Sequence, residues 1–316
     1  MESASVMNSM APLVSVGLPV HNGENYIVGA IESILNQTYR NIELIISDNA
    51  STDNTGGICQ KYTLIDNRVK YYRLNDNCGA MVNHNRVLDL AKGKYFQWIC
   101  HDDECEQTYI QKCVGILEEN EQIICCFSVI KFIDGKDNVL RLSKNELSIF
   151  DDSRLERMKK FVDLQKASVD IFCAMYGLFR TASIKKLGPL GTYIAGDQVY
   201  LLKMVFDGKL YQLNDPYLSR REHPSTALIA LPKLPHYKKY KEATRWGEAK
   251  CNPMIVLVNW KLMKEAFSYF SRYPMRILEK MKCFTVLFRL FIARWRRLLK
   301  ELMMIPGQLV YHFVEK

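Results

Sequence analysis

The polar run HDDE at residues 101–104 follows the apolar run YFQWIC at residues 95–100, and it contains two neighbouring carboxylates, Asp102 and Asp103. Adjacent acids are costly to keep ionised together, because each negative charge raises the pKa of the other. A divalent cation relieves this repulsion, and oxygen ligands favour Mg²⁺ or Mn²⁺, which often complete their shell with substrate phosphates. An acidic turn that caps the following helix has the same residue pattern, so this motif alone leaves both interpretations open.

A second polar cluster, DNASTD at residues 48–53, follows the apolar run IELIIS. Asp48 could accept hydrogen bonds from a base N–H or from ribose hydroxyls, whereas Ser51 or Asp53 could equally cap a helix. A further acid, Asp197, stands just before apolar residues at helical spacing, which predicts a position near the start of a helix.

The elements that must position these acids are read from the apolar runs. Residues 13–20, 42–47, 69–74 and 95–100 read as buried strands, and helical patterns lie between them. This βαβαβαβ order predicts a doubly wound, mostly parallel α/β sheet flanked by helices. Ligands bind at the carboxyl ends of the strands in such sheets, so the polar clusters 19–24, 48–53, 75–79 and 101–104 should converge on one rim.

Several other kinds of site have no support in the sequence. No GxGxxG follows the first strand and no GxxxxGK[ST] occurs, which argues against a dinucleotide fingerprint and a P-loop. No zinc-type spacing of Cys and His and no GxSxG elbow is present.

Composition bounds the class of protein. The 316 residues are 48% hydrophobic and 24% charged, which is ordinary for a globular chain. The ten cysteines include no CxxC pair and fall largely in apolar runs, which indicates buried thiols in a reducing compartment. The N-terminus does not read as a signal peptide, and no uncharged apolar stretch is long enough to predict a membrane span.

The net charge of +9 is concentrated in the C-terminal part of the chain. Residues 253–316 contain 12 Lys and Arg against 4 Glu, so they carry +8 and leave a nearly neutral body. This asymmetry favours contact with an anionic surface and not with nucleic acid. In this tail we expect one apolar side, formed by Phe284, Leu287, Phe288, Phe291 and Trp295.

The cations Arg289, Arg296, Arg297 and Lys300 of the tail are expected to project elsewhere. Such a helix is typical of peripheral proteins at an anionic membrane surface, here at the cytoplasmic face. The alternative is a helical bundle that packs back on the body of the protein.

The stretch VSVGLPVHNGENYIVGAIESILNQTYRNIELIISDNASTDNT resembles the opening of family 2 glycosyltransferases, which have the GT-A fold. The likeness continues through residues 75–79 and the run NHNRVLDLAKGKYFQWICHDD, and weakly to about His223, over roughly two-thirds of the chain. It implies a GT-A-like domain at 13–228, between a flexible N-terminus (1–12) and a linker (229–252) that leads to a basic amphipathic helical tail (253–316).

The resemblance also implies roles for individual residues. It makes Asp103 and His223 the ligands of a Mn²⁺ or Mg²⁺ ion, and Asp197 the general base. Family members often have Arg before Asn85, where this chain has His84. The implied nucleotide-sugar contacts are Pro19, His21, Asn22, Glu24, Asp48, Asn49, Asn85 and Asp102.

The implied activity is that of an inverting hexosyltransferase, which moves a sugar from a nucleotide-diphosphate sugar, most simply a UDP-sugar, to a hydroxyl of a glycan or lipid-linked glycan in polysaccharide biosynthesis. The metal would neutralise the leaving diphosphate and a carboxylate would deprotonate the acceptor. The alternatives are a non-catalytic binding protein of the same fold and a sugar nucleotidyltransferase. The latter would need a basic, Gly-rich loop after the first strand, and LPVHNGENY contains no Lys or Arg.

Overall fold

The computed structural model describes residues 11–223, 244, 247–250 and 253–314. Most of the predicted flexible N-terminus (1–12) and most of the predicted linker (229–252) lie outside these residues. The nine cysteines in the described part are unpaired, and seven of them are buried, in agreement with the prediction of buried thiols.

Nine strands of the described chain form one sheet in the order β3-β2-β1-β4-β8-β6-β9-β5, with β7 paired to one end of β6. The strands are β1 (Val14–Val20), β2 (Ile42–Asp48), β3 (Val69–Arg73), β4 (Tyr95–Trp98), β5 (Glu104–Cys105), β6 (Ile123–Ile133), β7 (Val139–Leu142), β8 (Leu178–Arg180) and β9 (Lys209–Arg221).

Helices connect and cover these strands. They are α1 (Ile27–Leu35), α2 (Thr55–Ile65), α3 (Ala80–Leu90), α4 (Tyr109–Glu119), α5 (Arg154–Ala167), α6 (Thr181–Lys186), α7 (Gly196–Asp207), α8 (Val258–Arg272), α9 (Ile277–Met303) and α10 (Ile305–Val314), with a 3₁₀ helix at Val169–Tyr176.

The predicted doubly wound α/β sheet is confirmed. Strands β3, β2, β1 and β4 run parallel, and β1 is buried along its whole length, as its β-branched sequence predicts. Beyond β4 the sheet is no longer purely parallel, because β8 pairs antiparallel with both β4 and β6. The long strand β9 then returns parallel to β6, and its end reaches the same rim as β4.

The core has one apolar cluster on each face of the sheet. Successive strand residues point to opposite faces, so Tyr95 of β4 joins one cluster and Phe96 joins the other. The second of these clusters also contains Phe270 of α8 and Leu287 of α9. The C-terminal helices therefore pack against the body and share one of its two apolar clusters.

The predicted single apolar side of the tail is divided between two environments. Leu287 is buried, and Phe284 and Phe291 pack partly buried against the core. Phe288 and Trp295, on the outer edge of the same apolar arc, are 56% and 52% exposed. The two environments arise because the apolar residues cover a wide arc of the helix. One edge of this arc packs on the body, and the other edge remains in solvent. Among the described helices none is long and apolar enough to cross a membrane.

Candidate active site

Two predicted polar clusters are joined into one wall of the rim. The backbone N–H of Asn22 donates to Ser51 Oγ at 2.9 Å, and Asn22 Oδ1 accepts from the backbone N–H of Thr52 at 2.8 Å. Glu24 Oε2 accepts from the backbone N–H of Asn54 at 2.9 Å. Asn22 and Glu24, both predicted nucleotide-sugar contacts, thus use side-chain oxygens to fix the loop after β1 against the loop after β2.

Asp48 at the end of β2 is fully buried and held in its ionised form. Its Oδ1 accepts from the backbone N–H of Ser51 at 2.8 Å, and its Oδ2 accepts from Tyr71 Oη and Arg73 Nη1, each at 2.7 Å. Burial raises the pKa of this carboxyl, but the bonds from Ser51 and Tyr71 and the charge of Arg73 outweigh it, so the pKa lies below its usual range. The sequence prediction assigned no role to Tyr71 and Arg73, although both lie in the predicted third strand at residues 69–74.

The remaining contacts of the first two loops extend to the third cluster. Asn49 Nδ2 donates to Asn77 Oδ1, and Asn49 Oδ1 accepts from the backbone N–H of Cys78, both at 2.9 Å. His21 Nδ1 lies 2.9 Å from the carbonyl oxygen of Asn49. Pro19, also a predicted contact, lies inside β1 and is buried, so its side chain belongs to the sheet.

The fourth cluster forms a tight turn at residues 100–103, called here the acidic turn. The backbone N–H of Asp103 donates to the carbonyl oxygen of Cys100 at 3.3 Å, which brings these two side chains together. The turn touches the first loop, because a Cβ on Gly23 would lie 2.7 Å from the ring of His101. All four predicted clusters therefore meet on one rim.

Asp103 is the buried member of the acidic pair, with 1% exposure. Its Oδ1 accepts from the backbone N–H of Arg221 at 3.0 Å, whereas its Oδ2 has no hydrogen-bond partner among the described residues. Burial, and then the charge of Asp102, raise the pKa of Asp103 to about 7. Burial of a carboxylate oxygen without a hydrogen-bond donor costs free energy unless a cation or a ligand group binds to that oxygen.

The end of β9 closes over the acidic turn. His223 Nε2 lies 3.0 Å from Asp102 Oδ2, and the His223 ring stacks on Tyr26 with centroids 4.9 Å apart. Arg221 Nε donates to the carbonyl oxygen of Asp102 at 3.2 Å. The structure thus brings His223 to the acidic pair, as a partner of Asp102.

The residues of the acidic turn fit a divalent cation. Ligand atoms of Cys100, Asp102 and Asp103 all lie within 4.8 Å of one another. A cation would bind to the unpartnered Oδ2 of Asp103, and carboxylate oxygens are suitable ligands for Mg²⁺ or Mn²⁺.

Arg220 is a site residue to which the sequence reasoning gave no role of its own. Its guanidinium lies over the ring of Tyr176 at 4.9 Å, and its positive charge lowers the pKa of both Asp103 and Asp197. A signal for it was present in the sequence, because Arg220 precedes His223, a predicted metal ligand, by three positions.

Asp197 stands in the first turn of α7, after Ala195 in the left-handed region at φ 65°. Its Oδ1 accepts from the backbone N–H of Gln198 at 2.9 Å. Burial raises the pKa of Asp197, and the charge of Arg220 lowers it by a smaller amount. The charge of Arg220 therefore acts on Asp197 as well as on Asp103.

Asn85 on α3 holds the loop that leads to Asp197. Its Nδ2 donates to the carbonyl oxygen of Leu190 at 2.9 Å, and its Oδ1 accepts from the backbone N–H of Leu190 at 2.7 Å. Both amide atoms of this predicted nucleotide-sugar contact are therefore engaged with the segment at residues 189–195, called here the base loop.

The described part of the predicted linker lies against this rim. The backbone N–H of Ala249 donates to the carbonyl oxygen of Cys78 at 3.1 Å, and Thr192 Oγ1 donates to Glu248 Oε2 at 2.8 Å. Gly79 is required there, because its φ is +95° and a Cβ would lie 2.6 Å from the backbone of residue 249. Residues 247–250 thus connect the third cluster with the base loop.

Comparison with known proteins gives a family for this arrangement. Residues 15–188, just over half of the chain, match the model of Glycosyl transferase family 2. An uncharacterized glycosyltransferase of Rickettsia typhi, RT0329, is 36% identical over 151 residues, which are 45% of this chain and 46% of that protein. TuaG of Bacillus subtilis, a glycosyltransferase provisionally named for teichuronic acid biosynthesis, is 36% identical over 122 residues, 39% of this chain and 47% of that protein. The matched stretch spans less than half of either relative.

Among solved structures, the crystal structure of S. aureus TarS 1-349 in complex with UDP-GlcNAc is similar in fold. It has a TM-score of 0.62 and 17% sequence identity, over 95% of this chain and 79% of that chain. The predicted GT-A-like fold is confirmed by this likeness.

Proposed function

Because the chain belongs to glycosyltransferase family 2, we propose that it transfers a sugar from a UDP-sugar to an acceptor hydroxyl, with metal assistance and inversion at the anomeric carbon. The observation that carries the proposal is the acidic turn, where Asp103 keeps a buried, unpartnered oxygen beside Asp102 on the same rim as Asp48. We assign Asp48 to the nucleoside and the pair Asp102 and Asp103 to the diphosphate and its metal, so the rim fits a nucleotide-diphosphate sugar.

The donor assignment rests on Asp48. Tyr71 and Arg73 keep this buried carboxylate ionised and oriented, and a uracil N–H or a ribose hydroxyl would replace one of the bonds that its two oxygens already accept. The fold likeness to a protein solved with UDP-GlcNAc supports a uridine nucleotide.

The chemistry would be divided between two parts of the rim. A divalent cation held by Asp102 and Asp103, when bound, supplies Lewis-acid stabilisation of the leaving diphosphate. Arg220 adds a fixed positive charge in the same region. Asp197 would accept the proton of the acceptor hydroxyl, and its raised pKa makes it a stronger proton acceptor than an ordinary carboxylate. One base and no covalent nucleophile give a single in-line displacement, hence inversion.

For the acceptor we propose a glycan or lipid-linked glycan used in polysaccharide biosynthesis, presented at the cytoplasmic face of a membrane. Support comes from three apolar residues of α9, Phe288, Ile292 and Trp295, which are 52–56% exposed. We call these three residues the outer face of α9. The name of TuaG, which refers to teichuronic acid biosynthesis, points to the same class of acceptor.

The charges around the outer face of α9 favour an anionic lipid surface over a second copy of this chain. Lys282, Arg289 and Arg296 lie along one edge of that face at heptad spacing. In a self-associated pair these edges would add like charges to the interface, whereas lipid phosphates neutralise them. A hexosyltransferase bound to the membrane surface in this way would meet a lipid-linked acceptor at that same surface.

The test is a panel of nucleotide sugars assayed with purified full-length protein and Mn²⁺, in which both donor binding and donor hydrolysis are measured. Release of UDP from one donor, abolished in Asp197→Asn, is the expected result. Donor binding without any turnover in the presence of candidate acceptors would indicate a non-catalytic binding protein. Release of pyrophosphate from UTP and a sugar phosphate would indicate a nucleotidyltransferase.

A further inference from the structure

The acidic turn contains a thiol as well as two carboxylates, and we infer that Cys100 supplies a sulfur ligand to the cation held there. This inference rests on the metal-assisted function proposed above, and it adds a donor of a different chemical type. It makes Cys100 the residue that sets which metal the site prefers.

The turn geometry brings the sulfur into the site. The hydrogen bond between the backbone N–H of Asp103 and the carbonyl oxygen of Cys100 closes the turn, so residues 100 and 103 face each other across it. Cys100 Sγ lies within 4.8 Å of an oxygen from each of Asp102 and Asp103. Metal–oxygen and metal–sulfur bonds are about 2.0–2.3 Å long, so two donors on one ion stand roughly 3–4.5 Å apart. The three atoms therefore need only small adjustments to share one ion.

A second observation points to a ligand at the same place. Asp103 Oδ2 is buried and has no hydrogen-bond partner in the described part of the chain. Two oxygens of the acidic pair already have partners, since Asp103 Oδ1 accepts from Arg221 and Asp102 Oδ2 lies against His223. Asp103 Oδ2 remains available to a cation at the turn.

Cys100 belongs to a possible ligand group, whereas several other thiols of the described chain are used in hydrogen bonds. The buried thiols of Cys113 and Cys125 donate to backbone carbonyl oxygens, and that of Cys78 donates to Asn49 Oδ1. Among the described residues, the group of three candidate metal ligands contains Cys100 and no other cysteine. At Cys100 the sulfur lies at metal-ligand spacing from two carboxylates, which burial of a small apolar side chain does not require.

The chemical consequence is a bias toward softer cations. On binding, the S–H proton would pass to solvent and the sulfur lone pair would form the bond to the ion, with no oxidation or reduction. Thiolate ligands favour Mn²⁺, Co²⁺ or Cd²⁺ over Mg²⁺, which prefers oxygen alone. A site built from Asp102, Asp103 and Cys100 should therefore rank these metals differently from an all-oxygen site.

The experiment is a titration of metal-free full-length protein with Co²⁺, followed by absorption spectroscopy. Sulfur ligation gives an intense thiolate-to-cobalt charge-transfer band in the near ultraviolet, a readout that needs neither donor nor acceptor. The band should appear in the wild type at one equivalent of Co²⁺ and be lost in Cys100→Ser. Cys78→Ser, which alters another half-buried thiol, is the matched control and should keep the band.

Two further variants keep the outcome interpretable. Asp103→Asn should lose both the Co²⁺ band and Mn²⁺ binding followed by electron paramagnetic resonance. Cys100→Asp should lose the band but still bind metal, with the ratio of Mg²⁺ to Mn²⁺ affinity raised by about tenfold or more. Circular dichroism in the near ultraviolet checks that each variant is folded.

The results separate this inference from the proposed function. Mn²⁺ binding without any Co²⁺–thiolate band in the wild type would overturn the role of Cys100 and leave the metal-assisted transferase intact. A band that survives in Cys100→Ser would assign the sulfur to another cysteine and equally overturn it. Failure of both Mn²⁺ and Co²⁺ to bind would overturn it too, and the donor assay in the presence of a chelator would then decide the function alone.

Discussion

Arg294 of α9 donates a hydrogen bond from Nη2 to Oε1 of Gln198 at 2.8 Å, and Gln198 directly follows Asp197 in the chain. The same guanidinium donates from Nη1 to Asn259 Oδ1 of α8 at 3.2 Å. Gln165 of α5 donates to the same Gln198 oxygen at 2.8 Å. The C-terminal helices therefore brace the first turn of α7, which carries the candidate base.

We expect Arg294→Met to lower the free energy of unfolding by about 2 kcal/mol. The substitution removes two hydrogen bonds and a positive charge close to the buried carboxylate of Glu301. Urea denaturation measures the effect. Arg296→Met is the matched control, because Arg296 is exposed beside Trp295 and should change stability by no more than about 0.5 kcal/mol. Equal losses in the two variants would mean that Arg294 does not brace α7.

Asp103 should make the metal-free protein less stable as the pH rises. Its folded pKa is raised to about 7, whereas an unfolded Asp titrates near pH 4. The stabilisation from the protonated carboxyl is complete below about pH 4 and is lost as the pH rises through about 7. One pKa unit corresponds to about 1.4 kcal/mol, so the loss is on the order of a few kcal/mol.

Denaturation curves between pH 4 and pH 8 measure this dependence, with Asp103→Asn as the comparison. The variant retains an oxygen for the backbone N–H of Arg221 but has no proton to lose, so its profile should be flatter. Added Mn²⁺ should restore stability at neutral pH to the wild type and not to the variant. Identical pH profiles for the two proteins would contradict the buried, raised-pKa state of Asp103.

Asp197→Asn should reduce turnover at least 100-fold while donor affinity stays near that of the wild type. A general base acts in the transition state, so its loss lowers kcat and leaves ground-state binding intact. Because burial raises the pKa of Asp197, the wild-type rate should rise with pH along an acidic limb above pH 4, and the variant should lack that limb. Asp163→Asn, at an exposed position of α5, is the control. A parallel fall of donor affinity and turnover would make Asp197 a binding residue.

The outer face of α9 should determine binding to membranes. Replacement of Phe288, Ile292 and Trp295 by Ser should reduce co-sedimentation with anionic vesicles, because the apolar part of the interaction is lost. The matched control replaces Leu64 and Ile65 of α2, which are also exposed, by Ser. Deletion of the tail is a poor test here, because α8 and α9 supply part of the core.

The cations beside the outer face of α9 can be tested separately from its apolar residues. Lys282→Glu, Arg289→Glu and Arg296→Glu together should abolish the preference for anionic over neutral vesicles, since each cation near such a surface contributes about 1 kcal/mol. Should the vesicle experiments show no change while sedimentation velocity shows a dimer that the Ser substitutions break, the outer face would be a self-association surface.

Local patterns in the sequence were sufficient to predict the strands of the parallel half of the sheet and the rim at their carboxyl ends. Apolar runs followed by acids predicted the positions of Asp48 and Asp103 well, because Asp48 is the last residue of buried strand β2 and Asp103 lies five residues after the end of buried strand β4. The partners of these acids were harder to foresee. Tyr71 and Arg73 lie in a strand with few buried residues, and only the register between β2 and β3 brings Arg73 to Asp48.

Two other features depend on contacts that no local pattern contains. Asn85 has the residue type and place of a ligand contact, yet its amide is satisfied by a backbone 105 positions later in the chain. In the tail, helical periodicity predicts an apolar arc but not which edge of the arc will meet the body. Leu287 and Phe288 are neighbours in sequence, and packing against the core buries the first and leaves the second exposed.

The closure of the acidic turn by β9 has a consequence for the order in which the protein forms. Arg221 and His223 follow Asp103 and Asp102 by 118 and 121 positions, so a growing chain carries both acids long before the strand that secures them has been made. Contacts between such distant positions tend to form late, after the entropy of closing a long loop has been overcome. A cation that requires the closed turn would then bind after the main folding barrier. It would lengthen the lifetime of the finished protein by slowing unfolding, without hastening its formation.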